Sequence, residues 1–341
     1  MNSFSALMVF LFIQVTVSLA QQKDTLAENM LAYQRSAGGW PKAVNNVKVD
    51  YMKPLSDVER KKIAADSLNT DATFDNKATS REIIYLTKAA KETGNSEYLT
   101  AAEKGISFIL AAQYPNGGWP QYFPDKRFYR GQITYNDDAM VHTLNILQDI
   151  SERKNGFDIF TPKFGTQAKN AVDKAVECIL ATQIIVNGTL TVWCAQYDEQ
   201  TMKPAKARAY EPPSLSGSES VGIVKFLIRL KNPSARTKTA IKSAMDWFEA
   251  VKISGYKFEL VRDAGNDLTK PVVSAHPNSI IWARFYEIGT NKPFFSGRDG
   301  VKKYSVNEID VERGGGYAWY GTWPAKLFAK DYPDWKKNYD N

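Results

Sequence analysis

The sequence is poor in histidine and cysteine, with two of each among 341 residues. So few histidines leave little material for mechanisms that depend on a histidine base. Two cysteines are too few to fasten a chain of this length. Neither histidine lies at ligand spacing from Cys178 or Cys194, which argues against a structural zinc site. Whether the two cysteines form a disulfide stays open from the sequence.

Long apolar runs are also scarce. The clearest one covers residues 6–17, is broken only by Gln14, and is followed by Ser18-Leu19-Ala20. It is too short to span a bilayer and is typical of a secretory signal cleaved after Ala20, the alternative being an uncleaved anchor. No linker or low-complexity tract divides residues 21–341, which we expect to form one domain. We expect that domain to be secreted or periplasmic, with no membrane association after signal cleavage.

Positive charge is in excess, with 44 Lys and Arg against 37 Asp and Glu and a formal net charge of +7. Such a surface favours polyanionic partners: nucleic acid, an anionic membrane or an acidic polysaccharide. The positive residues are dispersed and form no nucleic-acid recognition motif, so we expect no nucleic-acid partner. Aromatic residues make up 12% of the chain and offer flat surfaces that can stack on sugars.

A repeat indicates an α/α architecture. Three helix-like segments end at Gln34, Gln113 and Gln183, separated by 79 residues (34 to 113) and 70 residues (113 to 183). The first two continue with Gly-Gly-Trp-Pro, at 38–41 and 117–120. A period of this length that holds two helices and a long loop predicts stacked helical hairpins.

Caps and apolar periodicity place the individual elements. The predicted helices are 56–67, 79–93, 95–113, 137–155, 161–183, 217–231 and a less clear one beginning at 234. Short alternating stretches predict strands at 189–193 and 256–261. The aromatic loops 36–54, 114–136, 195–216 and 286–303 are too long to be simple connections and are candidates for function.

Tryptophans and histidines in these segments have different expected roles. Trp40 and Trp119 follow paired glycines, and we expect them to wedge between helical hairpins. Trp319 and Trp323 are better candidates for the wall of a cleft. His142 lies within a predicted helix and is expected to be a packed or solvated residue rather than a ligand.

Two acidic turns precede predicted helices: Asp75-Asn76 and Asn136-Asp137-Asp138. Residues of these types cap helices, because their side chains accept backbone N–H bonds. Carboxylate and amide oxygens are also the ligands of hard cations such as calcium. Spacing alone does not decide between capping and a shared cation site. Four cations at loops and helix ends, each unremarkable alone, would together suit a chain of carboxylates: Arg208, Lys225, Arg284 and Arg298.

These motifs resemble the family 10 pectate lyases. The resemblance extends in order from about residue 29 to 325 and is carried by the Gly-Gly-Trp-Pro repeats, 73–76, 114–121, 134–140, 191–196, 207–220, 282–287, 298–300 and 316–321. It implies a mainly α (α/α)-toroid fold of helical hairpins with long loops and a few short strands. It also implies calcium-dependent β-elimination of polygalacturonate, which leaves 4,5-unsaturated products.

The resemblance further implies roles for single residues. The family's catalytic base falls on Arg208, and its substrate-carboxylate cations fall on Lys225, Arg284 and Arg298. Its calcium-binding acids fall on Asp75 and on the pair Asp137 and Asp138, either of which suits the ligand position.

This chain departs from the family pattern at three positions. Lys77 replaces a glycine, Tyr197 stands where histidine is common, and Gly314 occupies a usual arginine position. An ammonium group at Lys77 would weaken calcium binding or supply part of the ion's charge.

Two other functions compete with a lyase. A glycoside hydrolase on the same fold would use a carboxylate pair, such as Asp75 with Asp137 or Asp138, and no metal. A non-catalytic pectin-binding protein would use the tryptophans and cations for binding alone. Only a lyase leaves an ultraviolet-absorbing unsaturated uronide. We expect a monomer that binds polygalacturonate.

Overall fold

The computed structural model describes residues 23–262 and 269–339, so the expected signal segment at 1–20 lies outside the described residues. The helices are α1 (Thr25–Tyr33), α2 (Asp57–Ala65), α3 (Ser80–Thr93), α4 (Ser96–Ala112), α5 (Ala139–Glu152), α6 (Thr161–Thr182), α7 (Glu219–Ile228), α8 (Ala235–Ala250), α9 (Val311–Gly315) and α10 (Tyr332–Tyr339).

The strands are short except for one long hairpin. They are β1 (Ala43–Val44), β2 (Val47–Lys48), β3 (Ile133–Thr134), β4 (Ile185–Val186), β5 (Thr189–Leu190), β6 (Gln196–Tyr197), β7 (Leu215–Ser216), β8 (Ile253–Arg262), β9 (Thr269–Ala283), β10 (Phe285–Tyr286), β11 (Phe295–Ser296), β12 (Lys302–Lys303) and β13 (Tyr320–Gly321). Antiparallel pairing joins β8 to β9 along the hairpin, and β13 adds to the base of β9.

Successive helices pack as the hairpins α3/α4, α5/α6 and α7/α8. Within this stack α5 contacts both α3 and α7, while α4 and α8 flank α6 in a second row that α1 extends. Apolar side chains between the rows are fully buried, among them Ile83 of α3, Ile109 of α4 and Leu144 of α5. The expected fold, mainly α and built from helical hairpins of the (α/α)-toroid type, is confirmed.

One tryptophan in each repeat ties a loop to the helix before it. The indole N–H donates to a backbone carbonyl at 2.7–2.8 Å in four places: Trp40 to Met30, Trp119 to Ile109, Trp193 to Ile179 and Trp282 to Phe248. Each indole ring is almost fully buried, so the N–H needs this partner. The prediction that Trp40 and Trp119 wedge between hairpins is confirmed.

The repeated glutamines join neighbouring hairpins. Each side-chain amide donates to a carbonyl of its own loop and to a carbonyl of the next outer helix. For Gln183 these acceptors are Thr191 at 2.8 Å and Ala240 of α8 at 3.0 Å. The glutamines thus set the spacing of the stack.

The loop after each of the first two glutamines needs glycine. Gly38 and Gly117 have φ of +102° and +92°, and a Cβ at either would lie 2.4 Å and 2.2 Å from the carbonyl oxygens of Lys104 and Lys174. Only glycine accepts both the conformation and the close approach. This lets each loop press against the next helix and brings its tryptophan inward.

Most predicted elements are present, with differences at the strands. The capping box of Ser56 and Glu59 opens α2 as expected. The predicted strand 189–193 is shorter, since only β5 is extended and paired. The strand at 256–261 is part of the longer β8, whose partner β9 lacks a clear apolar alternation because most of its side chains are partly or fully exposed.

Both cysteines are buried free thiols. Along the described residues, none of the helices combines the length and apolarity needed to cross a bilayer.

We expect Gln183→Met to destabilise the protein by about 1–3 kcal/mol. Methionine has a similar size but cannot donate, so the carbonyls of Thr191 and Ala240 lose a partner in a buried setting. Urea denaturation measures the change. Gln167→Met, on the exposed side of α6, the helix that ends just before Gln183, is the matched control and should change stability little. Equal stability of both variants would contradict the joining role of Gln183.

Candidate active site

Equivalent turns of successive repeats meet at one end of the helical stack. The backbone N–H of Thr73, Thr134 and Ser216 donates to the carbonyl of Trp40, Trp119 and Trp193 respectively, at 2.8–3.0 Å. These bonds align the segments that lead into α3, α5 and α7. The polar turns just after them therefore lie side by side.

A cavity of about 430 Å³ opens where the turns meet. Its lining combines acidic, amide and cationic groups with one half-buried indole: Asn76, Lys77, Asp137, Asp138, His142, Ser218, Glu219, Arg284 and Trp323. Three residues singled out from the sequence, Asp137, Asp138 and Arg284, are thus brought together. The two acidic turns have an unusual backbone conformation. Positive φ angles occur at Asn76, Lys77, Asp137 and Asp138.

Asp75 is buried beside this cavity, with 3% of its surface exposed. One carboxylate oxygen pairs with the ammonium group of Lys42, and the other has no hydrogen-bond partner within the described residues. A buried carboxylate oxygen without a partner is costly. Asp75 can therefore accept a further cation or donor.

Burial disfavours the charged forms of Asp137 and Asp138, and a bound cation would stabilise those charged forms. Burial is the main cause that raises the pKa of Asp138 to about 6, and the nearby Glu219 adds to it. Burial also raises the pKa of Asp137, partly offset by Arg284, whose guanidinium lies 3.5 Å from its carboxylate. Gly222 of α7 makes room for Asp138, since a Cβ there would lie 2.0 Å from its carboxylate oxygen.

Arg284 and Glu219 form a buried ion pair between the acidic turns and the base of the long hairpin. Glu219 is 2% exposed and also accepts from the hydroxyl of Ser216. Burial opposes the charge of Arg284, but Glu219 and Asp137 more than compensate, and the pKa of Arg284 is raised. The guanidinium faces the ring of Tyr317 at 4.5 Å.

Tyr317 connects this pair to a second cluster around Arg208. Its hydroxyl lies 3.4 Å from a carboxylate oxygen of Glu211. Glu211 in turn binds Arg208 through two parallel bonds, one of them 2.7 Å from Nε. This pairing is the main cause that raises the pKa of Arg208.

An arginine that the sequence reading did not assign completes the cluster. Arg313 is 7% exposed and stacks between the rings of Tyr210 and Tyr317, at 3.7 Å and 4.0 Å. Burial lowers the pKa of Arg313, and Arg208 lowers it further. Its position directly before Gly314, the expected arginine position, was the available signal.

Of the four predicted cations only Arg284 lines the cavity; Arg208, Arg298 and Lys225 are outside its lining. Arg298 is exposed and bonds Glu312 twice at 2.8 Å, with its guanidinium 5.9 Å from the ring of Tyr210. Lys225 is exposed on α7, close enough to Asp138 to lower the pKa of that acid.

One of the sequence expectations on aromatic residues needs correction. Trp319 is fully buried and cannot form a cleft wall, whereas Trp323 lines the cavity. His142 is a partly buried residue of α5 that lines the cavity, which agrees with the expected packed or solvated helix residue. Burial and the neighbouring Lys77 lower its pKa.

Besides Arg313, two charged residues of the site, Lys42 and Glu219, were missed from the sequence. Lys42 follows Trp40 by two residues, and Arg284 follows Trp282 by two, so both occupy the same place in their repeats. Glu219 lies in the Ser-Gly-Ser-Glu segment, which the sequence suggested only as a helix cap. Comparing positions between repeats, rather than within one, is the signal that would have found Lys42.

The acidic turns offer oxygen ligands of the kind that a hard cation prefers. Across residues 23–262 and 269–339, however, no three acidic, histidine or cysteine side chains converge closely enough to make a complete metal site. A cation held by Asp75, Asp137 or Asp138 would draw its other ligands from amide, water or bound-molecule oxygens.

The chain is similar to known polysaccharide lyases in both sequence and structure. The sequence matches the family model described as pectic acid lyase over residues 34–328. It is also similar to a solved family 10 polysaccharide lyase from Cellvibrio cellulosa, with 33% identity, a TM-score of 0.80, and coverage of 92% of this chain and 93% of that one. An aspartate-to-alanine mutant of that lyase, solved in complex with trigalacturonic acid, matches with the same identity and a TM-score of 0.81. No curated protein sequence matches the chain.

We expect Arg284→Met to lower the free energy of unfolding by about 3–5 kcal/mol, because Glu219 is left as an unpaired buried charge. Adding Glu219→Gln to the same chain should recover a large part of that loss. Chemical denaturation of the two single variants and the double variant measures the coupling.

Arg236→Met provides the control, since Arg236 is an exposed arginine paired with Glu177 on the outer helices. It should change stability by less than about 1 kcal/mol. Additive losses from Arg284→Met and Glu219→Gln would contradict the buried pair.

Proposed function

The chain belongs to the pectic acid lyase family, and from this premise we propose that it cleaves α-1,4-linked polygalacturonate by calcium-assisted β-elimination. The products would be 4,5-unsaturated oligogalacturonides. The observation that most supports this is the cavity in which Asp137, Asp138 and Arg284 meet beside Asp75. A basic protein suits the anionic polymer, and the structural relative that binds trigalacturonic acid is consistent with this substrate class.

Asp75, Asp137 and Asp138 are the residues that would hold calcium. Their donor chemistry fits, because one oxygen of Asp75 lacks a partner and burial with neighbouring carboxylates disfavours the charge of Asp138. Bound there, calcium would supply Lewis-acid withdrawal of charge from the galacturonate carboxylate, which makes the C5 proton more acidic. The incomplete protein ligand set is consistent with substrate oxygens completing it.

Lys225, Arg284 and Arg298 would bind substrate carboxylates. Arg284 is the best placed, since it lines the cavity and is held rigidly by Glu219. A preorganised guanidinium stabilises negative charge as it develops on the carboxylate and C5. Trp323, at the cavity wall, offers an apolar face to a sugar ring.

Arg208 would remove the C5 proton. An arginine can act as a base only through its deprotonated fraction, which is minute at neutral pH. In the free protein Glu211 makes this fraction smaller still, because it stabilises the guanidinium. The proposal therefore requires Glu211 to move away or its charge to be compensated when substrate binds. Arg313 lies close enough to Arg208 for the two like charges to repel, and burial together with this repulsion lowers the pKa of Arg313.

Polygalacturonate with and without calcium tests the function. We expect absorbance of the unsaturated product to rise with calcium, to stop in excess chelator, and to return when calcium is restored. New reducing ends without absorbance would indicate hydrolysis, and binding without cleavage would indicate a non-catalytic protein. Full activity in chelator would contradict the calcium requirement and favour Lys77 as a source of the missing charge.

We expect Arg208→Ala to lower turnover at least about 100-fold while substrate binding is largely kept, as is typical for loss of a general base. Arg208→Lys should not restore full activity, because the ammonium is shorter and lacks the planar fork. Steady-state kinetics on one polygalacturonate preparation measures both.

Lys225→Ala and Arg298→Ala provide the comparison, since loss of carboxylate binding should mainly raise KM. Arg236→Ala, far from the cavity on α8, should leave both constants unchanged. Retention by Arg208→Ala of more than about a tenth of wild-type turnover would rule out Arg208 as the base.

A further inference from the structure

Lys42 and Arg284 occupy equivalent positions in the first and fourth repeats, two residues after Trp40 and Trp282. The corresponding residues in the second and third repeats are Gln121 and Ala195, which carry no charge. Backbone bonds support the equivalence of the last three positions, because Phe74, Tyr135 and Gly217 donate to the carbonyls of Gln121, Ala195 and Arg284 in turn, whereas the carbonyl of Lys42 accepts from Val49. Lys42 pairs with Asp75, and Arg284 lies 3.5 Å from Asp137. The acidic turns are therefore flanked by one cation on each side.

The two cations differ in their freedom. Arg284 is buried, stacks on Tyr317 and is bound to Glu219. The side chain of Lys42 is 36% exposed, and its ammonium group pairs with one carboxylate oxygen of Asp75. Its ammonium also lies 5.9 Å from the ring of Tyr122. Lys42 can thus leave Asp75 by rotating a flexible stem, whereas Arg284 cannot move without breaking its buried pair.

We propose that Lys42 is an exchangeable counter-cation of the cation site. It neutralises Asp75 while calcium is absent, and it turns to a carboxylate of the substrate when calcium binds Asp75. This inference rests on the proposed function, because it takes Asp75 as a calcium ligand and polygalacturonate as the substrate.

The exchange follows from the geometry of Asp75. Lys42 contacts one carboxylate oxygen, and a calcium ion bound to the same group would face an ammonium group at close range. Two cations on one buried carboxylate repel each other strongly, because the surrounding protein screens charge less than water does. Calcium can first bind the partner-free second oxygen of Asp75. The ammonium group of the partly exposed Lys42 can then move away from Asp75 toward solvent or substrate.

Exchange predicts effects of opposite sign on two affinities. Without the ammonium group, calcium no longer competes for Asp75 and should bind more tightly. The substrate loses a carboxylate partner and should bind more weakly. A lysine that only supports the fold would instead lower both affinities or leave both unchanged.

Lys42→Gln is the decisive variant, since it introduces the neutral residue that the second repeat carries at Gln121. We expect calorimetric titration with calcium alone to give a Kd at least about tenfold lower than in the wild-type protein, in line with the strength of a close charge contact. Titration with trigalacturonic acid at saturating calcium, in the Arg208→Ala background to prevent turnover, should give a Kd about tenfold higher. Lys42→Arg keeps the charge and should remain near the wild type in calcium affinity.

Lys48→Gln is the matched control on the neighbouring strand β2, where the lysine is exposed, and should change neither affinity. Urea denaturation of each variant shows whether the fold is kept. Unchanged or weaker calcium binding in folded Lys42→Gln overturns the inference, as does unchanged substrate affinity. If the wild-type protein cleaves polygalacturonate with calcium but Lys42→Gln shows one of these overturning results, only this inference fails. If the wild-type protein neither binds calcium nor forms the unsaturated product, the proposed function fails with it.

Discussion

The hydrogen bond from each buried indole N–H to a helical carbonyl is the constraint on which the cavity between the acidic turns depends. It holds Trp40, Trp119, Trp193 and Trp282 at one level of the stack. The backbone carbonyls of the first three of these tryptophans accept hydrogen bonds from the segments that lead into α3, α5 and α7. The turns before these three helices therefore lie at the same level of the stack. Asn76 and Arg284, more than 200 positions apart in sequence, line the same cavity because these bonds bring their turns to the same end of the stack.

The charges that this framework collects are mostly compensated within the protein. Lys42 pairs with Asp75, Arg284 with Glu219, and Arg208 with Glu211. Among the described residues Asp138 has no ion-pair partner, and burial raises its pKa. Under the proposed function, a substrate carboxylate at Arg284 or Arg208 would compete with Glu219 or Glu211, and a cation at Asp75 would compete with Lys42. This arrangement favours electrostatic exchange as one physical basis of recognition.

The repeat explains how far the sequence could be interpreted. Gly-Gly-Trp-Pro and the terminal glutamines predicted the hairpins, because the same local contacts recur in each copy. The pairing of Lys42 with Asp75 could not be read from either segment alone, since it depends on how the loop at 38–41 stands against the turn at 75–77. The long hairpin was also missed in part, because β9 has one strongly buried end and an otherwise exposed length. Trp319 and Trp323 lie four residues apart, and which of them faces the cavity depends on the path of the chain at β13.

The state of Arg208 sets the strongest demand on any mechanism at this site. Its bidentate contact with Glu211 orients the guanidinium but also stabilises its protonated form. Orientation and basicity therefore oppose each other in the free protein. Tyr317 contacts Glu211 through its hydroxyl and Arg284 through its ring, so a carboxylate bound at Arg284 would act on the same tyrosine that touches the partner of Arg208. In the proposed mechanism, Tyr317 would connect a substrate carboxylate bound at Arg284 to the contact between Glu211 and Arg208, because this one side chain touches both Arg284 and Glu211.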